Sequence, residues 1–140
     1  MSVKFEGLDE LLKSLDGLDS TKLESAITKA TMLVEGEARI KAPKDNGELK
    51  RSIESRIESG GGNIQGIVFT PLEYAPYVEY GTGLFAEGGD GRKDVPWHYQ
   101  DDKGEWHSTK GQKPKPFMRP ALDENREEIL RIIKEGLLND

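Results

Sequence analysis

The side chains best suited to chemistry in this chain are two histidines set among acids. His98 and His107 flank Asp101-Asp102-Lys103-Gly104, with Asp94 a few residues upstream. If the turn between them has four residues, the two imidazoles face each other across a hairpin and a site of nitrogen and oxygen ligands is conceivable. A three-residue turn breaks that pairing. No His-Glu-x-x-His or other spaced ligand motif accompanies them. Gly81-Thr82-Gly83 lacks the six-residue spacing and the closing Lys-Ser/Thr of a phosphate-binding loop, so it reads as a flexible turn. There is no Gly-x-Ser-x-Gly nucleophile elbow. The absence of cysteine removes thiol nucleophiles, thiolate zinc sites and disulfides, and fits a reducing compartment. A nuclease needs a base, a phosphate clamp and usually a cation converging in one cleft, and the sequence suggests no such grouping. No residue is therefore assigned as catalytic, cofactor-binding or metal-binding, and the expectation is a protein that is not an enzyme. The alternative from another class is a metal-dependent nuclease or nucleic-acid-binding module using His98, His107 and the basic 110–119 segment, which carries Lys110, Lys113, Lys115 and Arg119 without an acid.

These residues need a scaffold. A chain of 140 residues suits one domain with a single core, and 34% hydrophobic against 33% charged residues makes that core small. Such a protomer can complete its core at an interface. The formal charge of −6 argues against tight gripping of phosphates over the whole surface. No apolar run approaches the ~20 residues of a bilayer span, and the first twelve residues lack a signal-peptide pattern. The expectation is a protein made in the cytoplasm with no membrane partner.

Leu8, Leu11, Leu12 and Leu15 recur at helical spacing ahead of Gly17, which predicts a short amphipathic helix. Thr21 and Glu24 have capping-box spacing, and Leu23, Ala26, Ile27, Ala30, Leu33, Val34 and Ala38 carry a long helix to Lys41, ended by Pro43. Gly47 to Ser59 reads as a turn and then a strand near 52–59, pairing through Gly60-Gly61-Gly62 with a strand over 63–70. Residues 83–113 read as a long loop holding a small hairpin, whose Asp101 and Gly104 stand at the first and fourth positions of a type I turn. Pro120 is expected to open a final helix with Leu122, Ile129, Ile132, Ile133 and Leu137 on its apolar stripe. The fold class is α+β: a small antiparallel sheet packed against a long N-terminal helix and a C-terminal helix, with a long loop carrying a small β-hairpin. The whole chain, 1–140, is taken as one domain with 83–113 as an insertion.

Four local stretches add more than periodicity does. The long helix ends in Ala42-Pro43; Gly47-Glu48-Leu49-Lys50-Arg51-Ser52-Ile53 leads into the sheet; Tyr74-Ala75-Pro76-Tyr77-Val78-Glu79-Tyr80-Gly81-Thr82 packs three tyrosines around one carboxylate; and Pro116-Phe117-Met118-Arg119-Pro120-Ala121 approaches the last helix. Singly, each is ordinary loop punctuation with aromatic filling. Together and in this order, they resemble the head-to-tail joining and tail-completion (minor tail component) family of siphovirus-type phages, over about residues 23–137. The 97–113 stretch is similar to the loop insertion of members from Gram-positive hosts.

The resemblance implies a structural subunit of a phage or prophage head–tail junction. Such subunits form a ring, here of about six copies, between the connector or stopper and the tail-terminator or tail-tube proteins. DNA passes through the ring without sequence-specific binding. It implies no cofactor, assembly in the host cytoplasm, and a final place in the neck or tail of the virion. The residues expected at subunit contacts are Tyr74, Tyr77, Glu79, Tyr80, Trp97, Tyr99, Trp106, Phe117 and Arg119. Glu79 is expected to pair with Arg119, within one chain or across an interface.

Overall fold

The computed structural model describes residues 1–4, 20–44, 47–60, 63–89, 91–101 and 103–138. The leucine-rich helix expected over 8–15 lies outside these residues. The chain forms two compact units, one made of residues 1–71 and 117–140 and the other of 72–116.

The first unit is α+β, as the patterning implies. Its sheet has three antiparallel strands in the order β1 (Ser2–Lys4), β3 (Asn63–Phe69), β2 (Glu54–Gly60). β2 and β3 form the expected hairpin, in register from Glu54 opposite Phe69 to Gly60 opposite Asn63. β1 pairs with the other edge of β3, Val3 opposite Val68. A three-residue strand is too short for a period-2 pattern to announce it.

α1 (Ser20–Lys41) starts one residue before Thr21 and stops two before Pro43. It packs against the sheet and both C-terminal helices. Its buried residues Ala26, Ile27, Ala30, Val34 and Ala38 recur at helical spacing. They meet a sheet whose Ile67 and Val68 are also buried. Each fully buried Ile or Val contributes roughly 1.5–3 kcal/mol, so packing rather than intrinsic propensity holds this helix.

Two expectations are corrected. Gly47–Ser52 is a short helix, α2, and not a turn. The four-residue spacing of Leu49 and Ile53 fits both periods, and the helical one prevails because it buries both side chains. Ser52 then bonds the hydroxyl of Thr70 (2.7 Å), and an Arg39 guanidinium N–H donates to the Ile53 carbonyl (2.7 Å). Glu35 holds Arg39 (2.6 Å) and accepts from Ser55 (2.6 Å), so the Gly-x-Leu-x-x-Ser-Ile stretch is bolted to α1. The C-terminal helix, in turn, is two helices, α4 (Met118–Asp123) and α5 (Arg126–Leu138). Pro120 sits inside α4 and does not open it, and the break falls at Glu124-Asn125, where the Asn125 side chain donates back to the Ala121 carbonyl (2.9 Å). Lys41 at the end of α1 pairs with Glu124 at this break (2.6 Å), and the bond holds the Lys41 ammonium pKa above the usual lysine value.

Candidate functional site

The second unit begins with α3 (Ala75–Tyr80), which Pro76 helps start and Gly81 ends, its N–H reaching the Tyr77 carbonyl (2.9 Å). Two faces follow from the helical period. Ala75 and Glu79, four apart, are buried, while Tyr77 and Tyr80, three apart on the other side, are 60% and 40% exposed. The chain then runs through two short 3-10 turns, Gly83–Phe85 and Glu87–Gly89, to the hairpin β4 (Trp97–Gln100) and β5 (Trp106–Thr109).

Gly81-Thr82-Gly83 is a junction and not the flexible turn its composition suggests. The Thr82 N–H donates to the Gln112 carbonyl (2.9 Å), the Gln112 N–H to the Thr82 hydroxyl (2.9 Å), and the Leu84 N–H to the Lys110 carbonyl (3.0 Å). Beside them the Lys115 N–H donates to the Val78 carbonyl (2.8 Å). Gly83, at φ +61°, lies so close to Lys110 and Gly111 that a Cβ there would overlap their backbone, and one on Gly111 would overlap the Thr82 carbonyl. Both positions need glycine for close approach. Gly91 crosses over the same spot, facing Gly83 and Ala86. The unpatterned 83–113 stretch is therefore tied at its base by backbone contacts that leave no mark in hydrophobic periodicity.

This junction floors a cavity of about 600 Å³ walled by Tyr77, Tyr80, Arg92 and Trp97. The Arg92 guanidinium lies 5.1 Å from the centre of the Trp97 ring, so one wall is a cation stacked on an indole. Of the nine residues expected at contacts, Tyr77, Tyr80 and Trp97 are brought together here. Tyr74 stands at the residue before α3, and its side chain makes no capping bond to the helix. Tyr99 stacks on His107 in the hairpin (5.3 Å between centroids), and Trp106 is 70% exposed. Phe117 and Glu79 are fully buried, and Arg119 is half-buried. Sequence reading missed Arg92, which stands alone in a charged, glycine-rich stretch, although its spacing of five from Trp97 was open to inspection.

The hairpin decides what the histidines can do. Asp101 and Glu105 close the hairpin: the Asp101 N–H donates to the Glu105 carbonyl (2.9 Å), the Gly104 N–H donates to the Asp101 carbonyl (3.0 Å), and Gly104 takes φ +82°. Three residues lie inside that closing pair. Tyr99 is consequently opposite His107 and His98 opposite Ser108, which puts the two imidazoles on opposite faces of the ribbon. Asp101, Glu105 and His107 do bring ligand atoms within 4.8 Å of one another. The Asp101 oxygens are already engaged, one by the N–H groups of Lys103 and Glu105 (2.9 Å each) and the other by His107 Nε2 (2.7 Å). The His107 bond leads in holding the Asp101 carboxyl below its ordinary range, followed by the Glu105 N–H. The cluster is accounted for as a turn lock.

The Tyr74–Gly81 helix and cap close a region, residues 6–81, that matches the sequence family described for the tail-component protein gp10 of bacteriophage HK97. That is more than half of the chain. The chain belongs to the HK97-gp10-like family of bacteriophage tail components. No curated protein and no solved structure matches it. In this tail component two of the four stretches lie wholly inside the matched region and a third, Tyr74 to Thr82, lies inside it but for its last residue, whereas the 83–113 insertion and the Pro-Phe approach to α4 lie beyond it. Among the described residues no helix is long and apolar enough to cross a membrane.

Proposed function

We propose that this tail component is a non-enzymatic structural subunit of a phage or prophage head–tail junction, forming a ring between the connector or stopper and the tail-terminator or tail-tube proteins. DNA passes through that ring without being read. The whole chain serves as a single neck domain, with 83–113 as its insertion, assembling in the host cytoplasm and ending in the virion neck.

The observation that carries this reading is the aromatic surface of the second unit. Tyr77, Tyr80, Tyr99 and Trp106 are all at least 40% exposed in a chain that is only 7% aromatic. Aromatic side chains in that state belong to contact surfaces, where Tyr, Trp and Arg dominate binding energy. Family membership supplies the context, and the net charge of −6 suits a channel wall that must let DNA slide. The nuclease alternative loses its geometric basis once His98 and His107 point to opposite faces. The purified protein, incubated with DNA and with Mg²⁺, Mn²⁺ or Zn²⁺, should leave the DNA uncut. Cleavage abolished by His107→Ala would overturn the proposal.

A further inference from the structure

We infer that the cavity walled by Tyr77, Tyr80, Arg92 and Trp97 receives Trp106 from a second copy of this chain; this rests on the ring reading and names the contact that would build the ring.

The pairing register carries the inference. Trp97 opposite Thr109 and Tyr99 opposite His107 share one face of the hairpin, because side chains alternate along each strand. Gln100 opposite Trp106 and His98 opposite Ser108 share the other. Trp97 is a wall of the cavity, so Trp106 projects from the face turned away from that wall and cannot fill the cavity of its own subunit. Knob and socket are both present, on opposite sides of one ribbon, and neither can be satisfied by the other within one subunit.

A lone two-stranded ribbon is marginal in water, and all four residues on the Trp106 face are exposed. An indole at the tip of such a ribbon is a natural anchor for a concave aromatic site. Arg92 at the cavity wall stays stacked on Trp97, and Asp94, 3.9 Å from it, is almost wholly exposed, so the wall offers an entering indole a cation as well as aromatic rings. Because knob and socket are different surfaces, the contact is head to tail, the type that closes into rings when the rotation permits.

The chain has no cysteine, so single cysteines report the contact cleanly. Copies carrying Ser108→Cys, on the Trp106 face, are mixed with copies carrying Glu87→Cys, on the cavity lining. The mixture should form a disulfide-linked heterodimer well above the yield of either variant alone. Trp106→Ala in the Ser108→Cys copy should lower that yield by about tenfold or more, and Trp106→Tyr should recover part of it. Trp106 is exposed in the free chain, so its removal should leave the melting temperature unchanged and exclude misfolding as the cause. A yield indifferent to Trp106→Ala overturns the inference, as does failure to self-associate up to about 1 mM. Imaging of particles separates the two ideas: a neck ring whose hairpins point away from neighbouring subunits refutes the contact and keeps the ring, whereas no ring refutes both.

Discussion

At the scale of single residues, Phe117 and Asp101 show how differently a buried ring and a half-buried carboxylate act. Phe117 is fully buried where the chain enters α4. Phe117→Ala should therefore lower unfolding free energy by about 3–5 kcal/mol, read as a shift of the denaturation midpoint. An unchanged midpoint would mean that the ring packs against nothing essential. Asp101 is half-buried and locked, with its pKa below the ordinary value because His107 and the Glu105 and Lys103 N–H groups bond its charged form. The sign follows from linkage: a carboxyl depressed by folding adds stability that is full above its unfolded pKa of about 3.9 and is lost as pH falls through the folded value. The hairpin should thus survive acid to below about pH 4 and then open, followed by the NMR shifts of Tyr99 and Trp106. Asp101→Asn should remove that acid transition, since an amide can still accept the two N–H bonds but cannot titrate. Persistence of the transition in Asp101→Asn would assign it to another group.

At the scale of elements, two helical glycines should answer the same substitution with opposite signs. Gly136 in α5 faces α1, and a Cβ there would sit 2.8 Å from that of Ala26. Gly136→Ala should cost about 1–3 kcal/mol because both helices must move apart. Gly36, in the middle of α1, has nothing within 4 Å of the added carbon, so Gly36→Ala should stabilise the fold by about 0.5–1 kcal/mol through helix propensity alone. Paired thermal melts decide both. The insertion gives a further prediction. Its base is tied at Thr82–Gln112 and Leu84–Lys110, so limited proteolysis should cut within 87–95 and spare the ends of 83–113. Cleavage in α1 or α5 before that window would show the insertion to be firmer than the helices. What was legible in the sequence follows the same division. α1, the β2–β3 hairpin and the Asp101–Gly104 turn each carry a periodic pattern or a turn signature that physics reads directly. β1 is too short to show one, α2 sits where helical and strand periods coincide, and the Glu124-Asn125 break is made by a side-chain bond. The cavity was half legible: its tyrosines and Trp97 stood out as aromatics, whereas Arg92 and the glycine crossing depend on chain paths that no local spacing encodes.

At the scale of the whole molecule, the size of the chain limits how many copies can surround DNA. As a measure of volume and not of shape, a folded chain of 140 residues corresponds to a sphere with a radius of gyration of about 14 Å and a diameter of roughly 37 Å. Touching spheres of that diameter enclose a hole of about 15 Å when four form a ring, about 26 Å for five and about 37 Å for six. Duplex DNA, with grooves about 8 Å deep around its stacked pairs, is roughly 20 Å across. Four copies would block the duplex. Five would pass it with a clearance of about 3 Å on each side, less than the Debye length of about 8 Å at physiological salt, so acidic walls would repel the phosphates throughout transit. Six leave about 8 Å on each side, enough to screen that repulsion, and the net charge of −6 per chain then keeps DNA from adhering. A ring of about six is the expected outcome, with the hairpin of each copy set against its neighbour. Cryo-electron imaging of particles or isolated necks measures both the number and the bore. A ring of four or fewer around the DNA path, or a position for this chain away from the channel, would contradict the assignment, because neither could carry the duplex from head to tail.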